Sequence, residues 1–247
     1  FDPLRRENIL EILHKEKGKG KLQGVIVQFG GQTPIKLAKS INEEGFPILG
    51  TQLNSIDLAE DRERFSKVLK KIKLKQASNG LAFSKKDAIK IANKIGFPLV
   101  IRPSYVLGGQ GMRIAVKQEE LERYVANILK THPENAFLID KYLEHAIEVD
   151  VDSVYDGEQL HIAGMMQHIE PAGVHSGDST AVIPSYSLSD EIQATIRAYQ
   201  ERIAEAMDIQ GFLNVQYAVK GTSIFGKIDS FKRSPKNMDS RLKQALT

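Results

Sequence analysis

Two spacings of apolar residues alternate along this chain. Residues 61–72, DRERFSKVLKKI, place Phe65, Val68, Leu69 and Ile72 on one stripe, which predicts an amphipathic helix. The same spacing predicts helices over Lys85–Ile95, ended by Gly96, over Glu119–Lys130 and over Ser189–Met207. Between them, Pro98–Arg102, Arg113–Lys117, Ala136–Tyr142 and Phe212–Val219 read as strands. Ile147–Tyr155, IEVDVDSVY, alternates with period two, and Gln159–Ile169 is its expected antiparallel partner across the turn YDGEQ. The first fifty residues differ. Gly24–Pro34 reads as a buried strand running into a glycine turn, PIKLAKSINEEG as a helix with Pro34 near its start and Gly45 past its end, and Phe46–Gly50 as a second short strand. Strand, helix and strand at this spacing predict a parallel α/β unit, whereas the middle of the chain is α+β. No internal repeat interrupts this order.

Composition narrows the class. With 247 residues, 41% hydrophobic and 26% charged, the chain is long enough for a sizeable core and ordinary for a globular protein. No apolar run approaches the roughly 18 residues of a membrane span. The opening stretch FDPLRRENILEILHKEKGKGK has no apolar signal region and does not begin with Met. We therefore expect a piece of a longer, cytoplasmic protein. The absence of cysteine excludes disulfides, thiolate metal sites and cysteine nucleophiles. Of the net charge of +3, residues 227–247 carry +4, from six basic and two acidic residues, so the remainder sums to −1. No aromatic residues alternate with basic ones in a stripe, which argues against a nucleic-acid surface.

Four stretches carry candidate chemistry. In IRPSYVLGGQGM, Arg102 closes an apolar strand and Gly108, Gly109 and Gly111 follow. Bare backbone beside a permanent cation suits a phosphate, and a glycine-rich hairpin with a surface arginine is the alternative. In IEVDVD, Glu148, Asp150 and Asp152 share one strand face, either solvated or available to ribose hydroxyls or a cation. EPAGVHSGDSTAV sets His175 and Ser176 between Gly173 and Gly177, without the elbow of a serine hydrolase, so a loop that wraps a ligand is the better reading. In FLNVQYAVK, Asn214 and Gln216 share a face, and an amide carbonyl there can satisfy backbone or join a shell of oxygens around a hard cation. The glycines of Gly24–Pro34 lack the third glycine of a dinucleotide fingerprint, which makes a nicotinamide enzyme a poor alternative.

Together IVQFGGQTP, AEDRERF, IRPSYVLGG, EVDVD, HIEPAGVHSGDS and LNVQYAVK resemble, in order and interval, the large subunit of carbamoyl phosphate synthetase, from Phe1 to about Phe225. PSYVLGG and AGVHSGDS resemble its second half, which phosphorylates carbamate. The resemblance implies an ATP-grasp fold preceded by a partial Rossmann-like α/β segment, with the segment over 1–56, the ATP-grasp domain over 57–226 and a divergent polar tail over 227–247. It implies that Arg62 and Arg102 contact ATP phosphates, that Gly108 and Gly109 lie in a flap over them, and that Asp140, Lys141 and Leu143 edge the adenine. It further implies that Glu148 binds ribose, that Gly173, Val174, His175 and Ser176 run along the nucleotide, and that Gln216 is a ligand of Mg²⁺ or Mn²⁺. The implied partners are ATP, carbamate, the rest of the large subunit and a glutaminase small subunit, in arginine and pyrimidine synthesis.

The resemblance breaks at one place. Where the family continues into Glu-Val-Asn-Pro-Arg, this chain reads GKIDSFKRSPK, with Ile228 at the Glu position and Ser230 at the Asn position. Asp229, the nearby acid, would face the opposite side of a strand. The tail is expected to be an out-of-frame or unrelated end, which an uninterrupted reading frame in the encoding DNA would refute.

Overall fold

The structure, a computed structural model, describes residues 3–29, 31–103, 112–131, 136–170 and 179–227. The chain opens with helices α1 (Arg6–Lys19), α2 (Gln32–Glu43), α3 (Leu53–Glu60) and α4 (Arg62–Lys71). It continues through β1 (Asn79–Ala82), α5 (Lys85–Ile95), β2 (Leu99–Pro103), β3 (Arg113–Ala115), α6 (Gln118–Thr131) and β4 (Phe137–Lys141). The last part holds β5 (Ile147–Tyr155), β6 (Leu160–His168), β7 (Ala181–Val182), α7 (Asp190–Ala206), β8 (Gly211–Lys220) and β9 (Ser223–Lys227).

The strands form two antiparallel sheets, a four-stranded one of order β1-β4-β2-β3 and a five-stranded one of order β7-β6-β5-β8-β9. Alternation decides which face each sheet buries. Leu99, Ile101, Ala115, Phe137 and Ile139 point inward against α5 and α6, meeting Ala88, Ala92, Leu121, Val125 and Ile128. Val149, Val151, Val215, Tyr217 and Val219 of the larger sheet pack with Phe65 and Leu69 of α4 and with Ile196, Ile203 and Ala204 of α7. A third cluster, containing Val27, Ile35, Ala38, Ile41, Phe46 and Ile48, holds the N-terminal segment together.

Helix ends follow local chemistry. The Ser84 hydroxyl accepts the Asp87 N–H at 3.1 Å, and Asp87 Oδ2 in turn accepts from the Ser84 hydroxyl at 2.8 Å, which caps α5 at the residue where its apolar period begins. Gly96, at φ 78°, ends it. Ser189 caps α7 by accepting the Ile192 N–H.

The N-terminal expectation needs correction. The strands read at Gly24–Pro34 and Phe46–Gly50 reduce to a single parallel bridge, Val25 to Ile48, with α2 between them. Ile26 and Leu49, beside the bridge, are 52% and 36% exposed, so among the described residues α2 covers one face of the pair while no third strand is added and the Ile26 and Leu49 face stays open; two strands alone are marginal. The segment still grips the larger sheet. Thr51 Oγ1 donates to Gln210 O at 2.9 Å and accepts the Gln210 N–H at 3.0 Å, and Gln28 Nε2 donates to Phe212 O. Both contacts fall at the start of β8.

Candidate functional site

The candidate residues lie on the sheet faces that the cores leave uncovered. On the smaller sheet, Arg102 of β2 stands opposite Leu138 of β4, and Asp140 stands opposite Val100. Arg102 and Asp140 are therefore diagonal neighbours on one face, within reach of a long side chain. Arg102 Nε donates to Asp140 Oδ2 at 2.9 Å, and Nη2 makes a closer bond to the same oxygen. The two side chains are 16% and 15% exposed. Arg102 is therefore a largely buried, ion-paired residue on the β2–β3 hairpin rather than a solvated surface arginine. Around the pair, half-buried Val100 and Leu138 and exposed Leu81 and Ile114 make the same face apolar.

Lys141 points the other way. Its ammonium donates to Gly96 O at 3.2 Å and Phe97 O at 2.5 Å, holding the carbonyls where α5 ends. The N–H groups of Lys141 and Tyr142 are used within the fold, by Ser78 O and Pro98 O. Leu143 is half-buried in the turn from β4 to β5, where its carbonyl accepts the Ala146 N–H. That turn is only five residues long (142–146), so it carries the chain from Asp140 on one sheet to Glu148 on the other.

On the larger sheet Glu148, Asp150 and Asp152 share one face of β5, as the alternation predicts, but the solvated alternative fails for Asp150, which is fully buried. Burying a carboxylate is costly unless it is hydrogen-bonded. Here His168 Nε2 lies 2.6 Å from Asp150 Oδ2, and the other ring nitrogen lies 3.9 Å from Glu148 Oε2. Gln216 of β8 is opposite Asp150, and Asn214 Nδ2 donates to Asp152 Oδ1 at 2.6 Å. The carboxylates and the two amides thus form one polar face.

Glu170 closes the base of the interval 171–178. Its Oε2 accepts the Ser179 hydroxyl and the Thr180 N–H, both at 2.7 Å, while the Ile169 N–H donates to Thr180 O. The Ser179 hydroxyl, helped by backbone N–H groups, holds the Glu170 carboxyl below its usual pKa.

Gly108, Gly109, Gly173, Val174, His175 and Ser176 lie outside the described residues, as do Ile228 and Ser230. Arg62 is the first residue of α4, and its side chain also lies outside them. His168, which the sequence reading passed over, is brought into the group, together with the apolar residues around Arg102.

The metal fits poorly. Among the described residues no three or more His, Cys, Asp or Glu are arranged to hold an ion. Gln216 offers one neutral oxygen, and the β9 position opposite it is Lys227. Mg²⁺ is ordinarily held through carboxylates and phosphates, so the described donors do not make a site for it.

Comparison of folds defines the class. Biotin carboxylase from Campylobacter jejuni superimposes with a TM-score of 0.71 at 13% identity, over 97% of this chain and 54% of that one. D-alanine–D-alanine ligase from Bacillus anthracis gives 0.69 at 15% identity, over 96% and 77%. The fold is α+β of the ATP-grasp type, behind a partial α/β segment. Residues 61–228 match the family described as "Carbamoyl-phosphate synthase L chain, ATP binding domain", and residues 1–58 match "Carbamoyl phosphate synthase preATP-grasp domain". The chain belongs to the carbamoyl-phosphate synthase large-chain family. It is 51% identical over 225 residues to the carbamoyl phosphate synthase large chain, C-terminal section, of Methanocaldococcus jannaschii, covering 91% of this chain and 36% of that protein. It is 48% identical over 225 residues to the large chain of Archaeoglobus fulgidus, covering 91% and 20%. The chain therefore spans about a third or less of these relatives.

Proposed function

We propose that this chain is the nucleotide-binding core of an ATP-dependent ligase in carbamoyl phosphate synthesis, from the half that phosphorylates carbamate. The observation that carries the reading is the paired placement of a fixed cation and a buried polar face across a five-residue turn. Arg102 faces out of one sheet beside an apolar surface, and Glu148, Asp150 and Gln216 face out of the next. A nucleotide offers a matching group to each: a ribose for Glu148 and phosphates for Arg102. Residues 1–56 serve as the partial pre-ATP-grasp segment, 57–226 as the ATP-grasp domain and 227–247 as a divergent tail. Arg62, Gly108 and Gly109 join Arg102 on the phosphates, the backbone of Asp140 and Lys141 together with Leu143 borders the base, and Gly173, Val174, His175 and Ser176 run beside the nucleotide. Gln216 is the metal candidate.

The reaction is an in-line displacement. A carbamate oxygen attacks the γ-phosphorus, the bond from that phosphorus to the bridging oxygen breaks, and carbamoyl phosphate and ADP leave. Such a transfer needs positioning and charge neutralisation rather than a covalent nucleophile, and Arg102 supplies both. The partners are the rest of the large chain and a glutaminase small subunit, in the cytoplasm, within arginine and pyrimidine synthesis.

A second reading has its own support. By the sequence resemblance Ile228 and Ser230 take the places of a metal-binding Glu and Asn, and the described donors around Gln216 leave a Mg²⁺ site short of charge. On that reading the chain binds nucleotide without turnover. ADP release with ATP, carbamate and Mg²⁺, run beside an ATP-binding titration, separates the two. ADP release dependent on carbamate supports the ligase, binding alone supports the module, and no binding overturns both.

A further inference from the structure

We propose that Asp140 is a positioning residue that aims the Arg102 guanidinium, rather than a contact of the nucleotide base. The inference rests on Arg102 meeting phosphate. It comes from which nitrogen atoms the carboxylate holds. Nε and Nη2 both donate to the single oxygen Oδ2, so the grip is side-on, along one edge of the planar guanidinium. A guanidinium has five N–H donors. Two are engaged here, and the Nη1 edge with the second Nη2 hydrogen points away from Asp140. That remaining edge is the one suited to a forked contact with phosphate oxygens.

The surroundings give the grip its effect. Both side chains are about 85% buried. The inward neighbours of the pair, Ile101 and Ile139, are fully buried and anchor β2 and β4 in register. The carboxylate therefore stands on a rigid strand and limits the rotamers of a long side chain. It also gives Arg102 a counter-charge, so the guanidinium is not left unpaired when a ligand excludes water. Lys141, the next residue, is committed to carbonyls on the opposite face and does not compete with Arg102 for the Asp140 carboxylate.

Two effects of opposite sign make the assignment testable. If Asp140 merely competed with phosphate for Arg102, removing its charge would tighten ATP binding. If Asp140 aims Arg102, removing its charge weakens ATP binding and leaves ligands without phosphate untouched. The experiment measures affinity for ATP and for adenosine in the full chain with Asp140→Asn, Asp140→Ala, Arg102→Ala and the double variant Arg102→Ala/Asp140→Ala. Thermal unfolding identifies variants that fail to fold. The Asn variant keeps an acceptor and the shape, so it remains informative if the Ala variant does not fold.

We expect Asp140→Ala to weaken ATP about tenfold, the scale of a hydrogen bond to a charged group, with Asp140→Asn between it and the parent. Adenosine affinity stays unchanged, and in the Arg102→Ala background the Asp140 effect disappears. Tighter ATP binding in Asp140→Asn overturns the proposal, and so does an equal loss for adenosine or an Asp140 effect that persists without Arg102. If Arg102→Ala itself leaves ATP affinity unchanged, the phosphate reading of Arg102 fails, and this proposal fails with it.

Discussion

Replacing Gln200 with leucine should unfasten the two strands that carry the polar face without touching that face. Gln200, on α7, is fully buried behind the larger sheet. Its Nε2 donates to Ser153 Oγ at 2.8 Å and lies 3.3 Å from Leu213 O, and its Oε1 accepts the Tyr217 hydroxyl at 2.8 Å. Ser153 Oγ in turn donates to Leu213 O at 3.0 Å. The site is dry enough that burial pushes the Tyr217 phenol well above its usual pKa. Leucine has a similar volume, so the change removes polar partners rather than opening a cavity. The Tyr217 hydroxyl then loses its acceptor inside the core, at a cost of about 1–3 kcal/mol, and Ser153 loses an incoming bond worth about 1 kcal/mol. The expected loss is about 2–4 kcal/mol in a urea titration, or roughly 4–16 °C in melting temperature at about 2–4 °C per kcal/mol for this size. Tyr217→Phe in the same background should recover part of the loss, because it removes the orphaned hydroxyl. A Gln200→Leu protein within about 0.5 kcal/mol of the parent would refute the claim that this network holds β5 to β8.

Three further outcomes follow from the geometry. Arg102→Ala should weaken ATP binding by about 1–3 kcal/mol in a titration, as for a charge-assisted bond, and unchanged affinity would count against the phosphate role. Gly50→Ala should cost about 1–3 kcal/mol, since Gly50 has φ +80° and an added Cβ would sit 2.9 Å from Gln210 O; an unchanged unfolding midpoint would contradict it. Because the Glu170 pKa is lowered in the folded protein, its contribution is complete above the unfolded value and is lost as the pH falls through the folded one. Glu170→Gln should therefore flatten the acid side of the stability profile, and an identical profile would rule the clamp out.

What could be read in advance divides by the range of the interaction. α5 runs over Lys85–Ile95, the residues its spacing predicts, because Ser84 and Gly96 cap it locally. β5 likewise runs over Ile147–Tyr155, where alternation holds from Ile147 to Asp152 and pairing with β6 and β8 carries the rest. The N-terminal strands failed for the converse reason: an apolar run becomes a strand only when neighbours pair with it, and here Val25 finds Ile48 alone. The Arg102–Asp140 pair was invisible for a similar reason. The residues are 38 apart in sequence and meet only because β4 lies between β1 and β2. The partners of Lys141 were hidden in the same way, since Gly96 O and Phe97 O lie 45 and 44 residues earlier in the chain.

His168 shows how one residue can decide the composition of a site. Near the hairpin turn, Tyr155 pairs with Leu160 and Ser153 with Ile162. Continued without interruption, that register sets Gln167 opposite Glu148 and leaves His168 on the other face. The chain instead shifts between Asp152 and Ser153, where Gly164 rather than Ala163 meets Asp152, and beyond that point Val149 pairs with Gln167. One extra residue in β6 therefore turns His168 towards Glu148 and Asp150 and sends Gln167 to the core side, where it bonds Ser187. A one-residue slip exchanges the faces of a strand, and a bulge does so from one point onward. The Gln200 network meets the sheet at Ser153, on the bulge itself. A one-residue irregularity in this strand pair thus determines which titratable groups stand together in front of the sheet, and no periodicity in LHIAGMMQH could have announced the exchange.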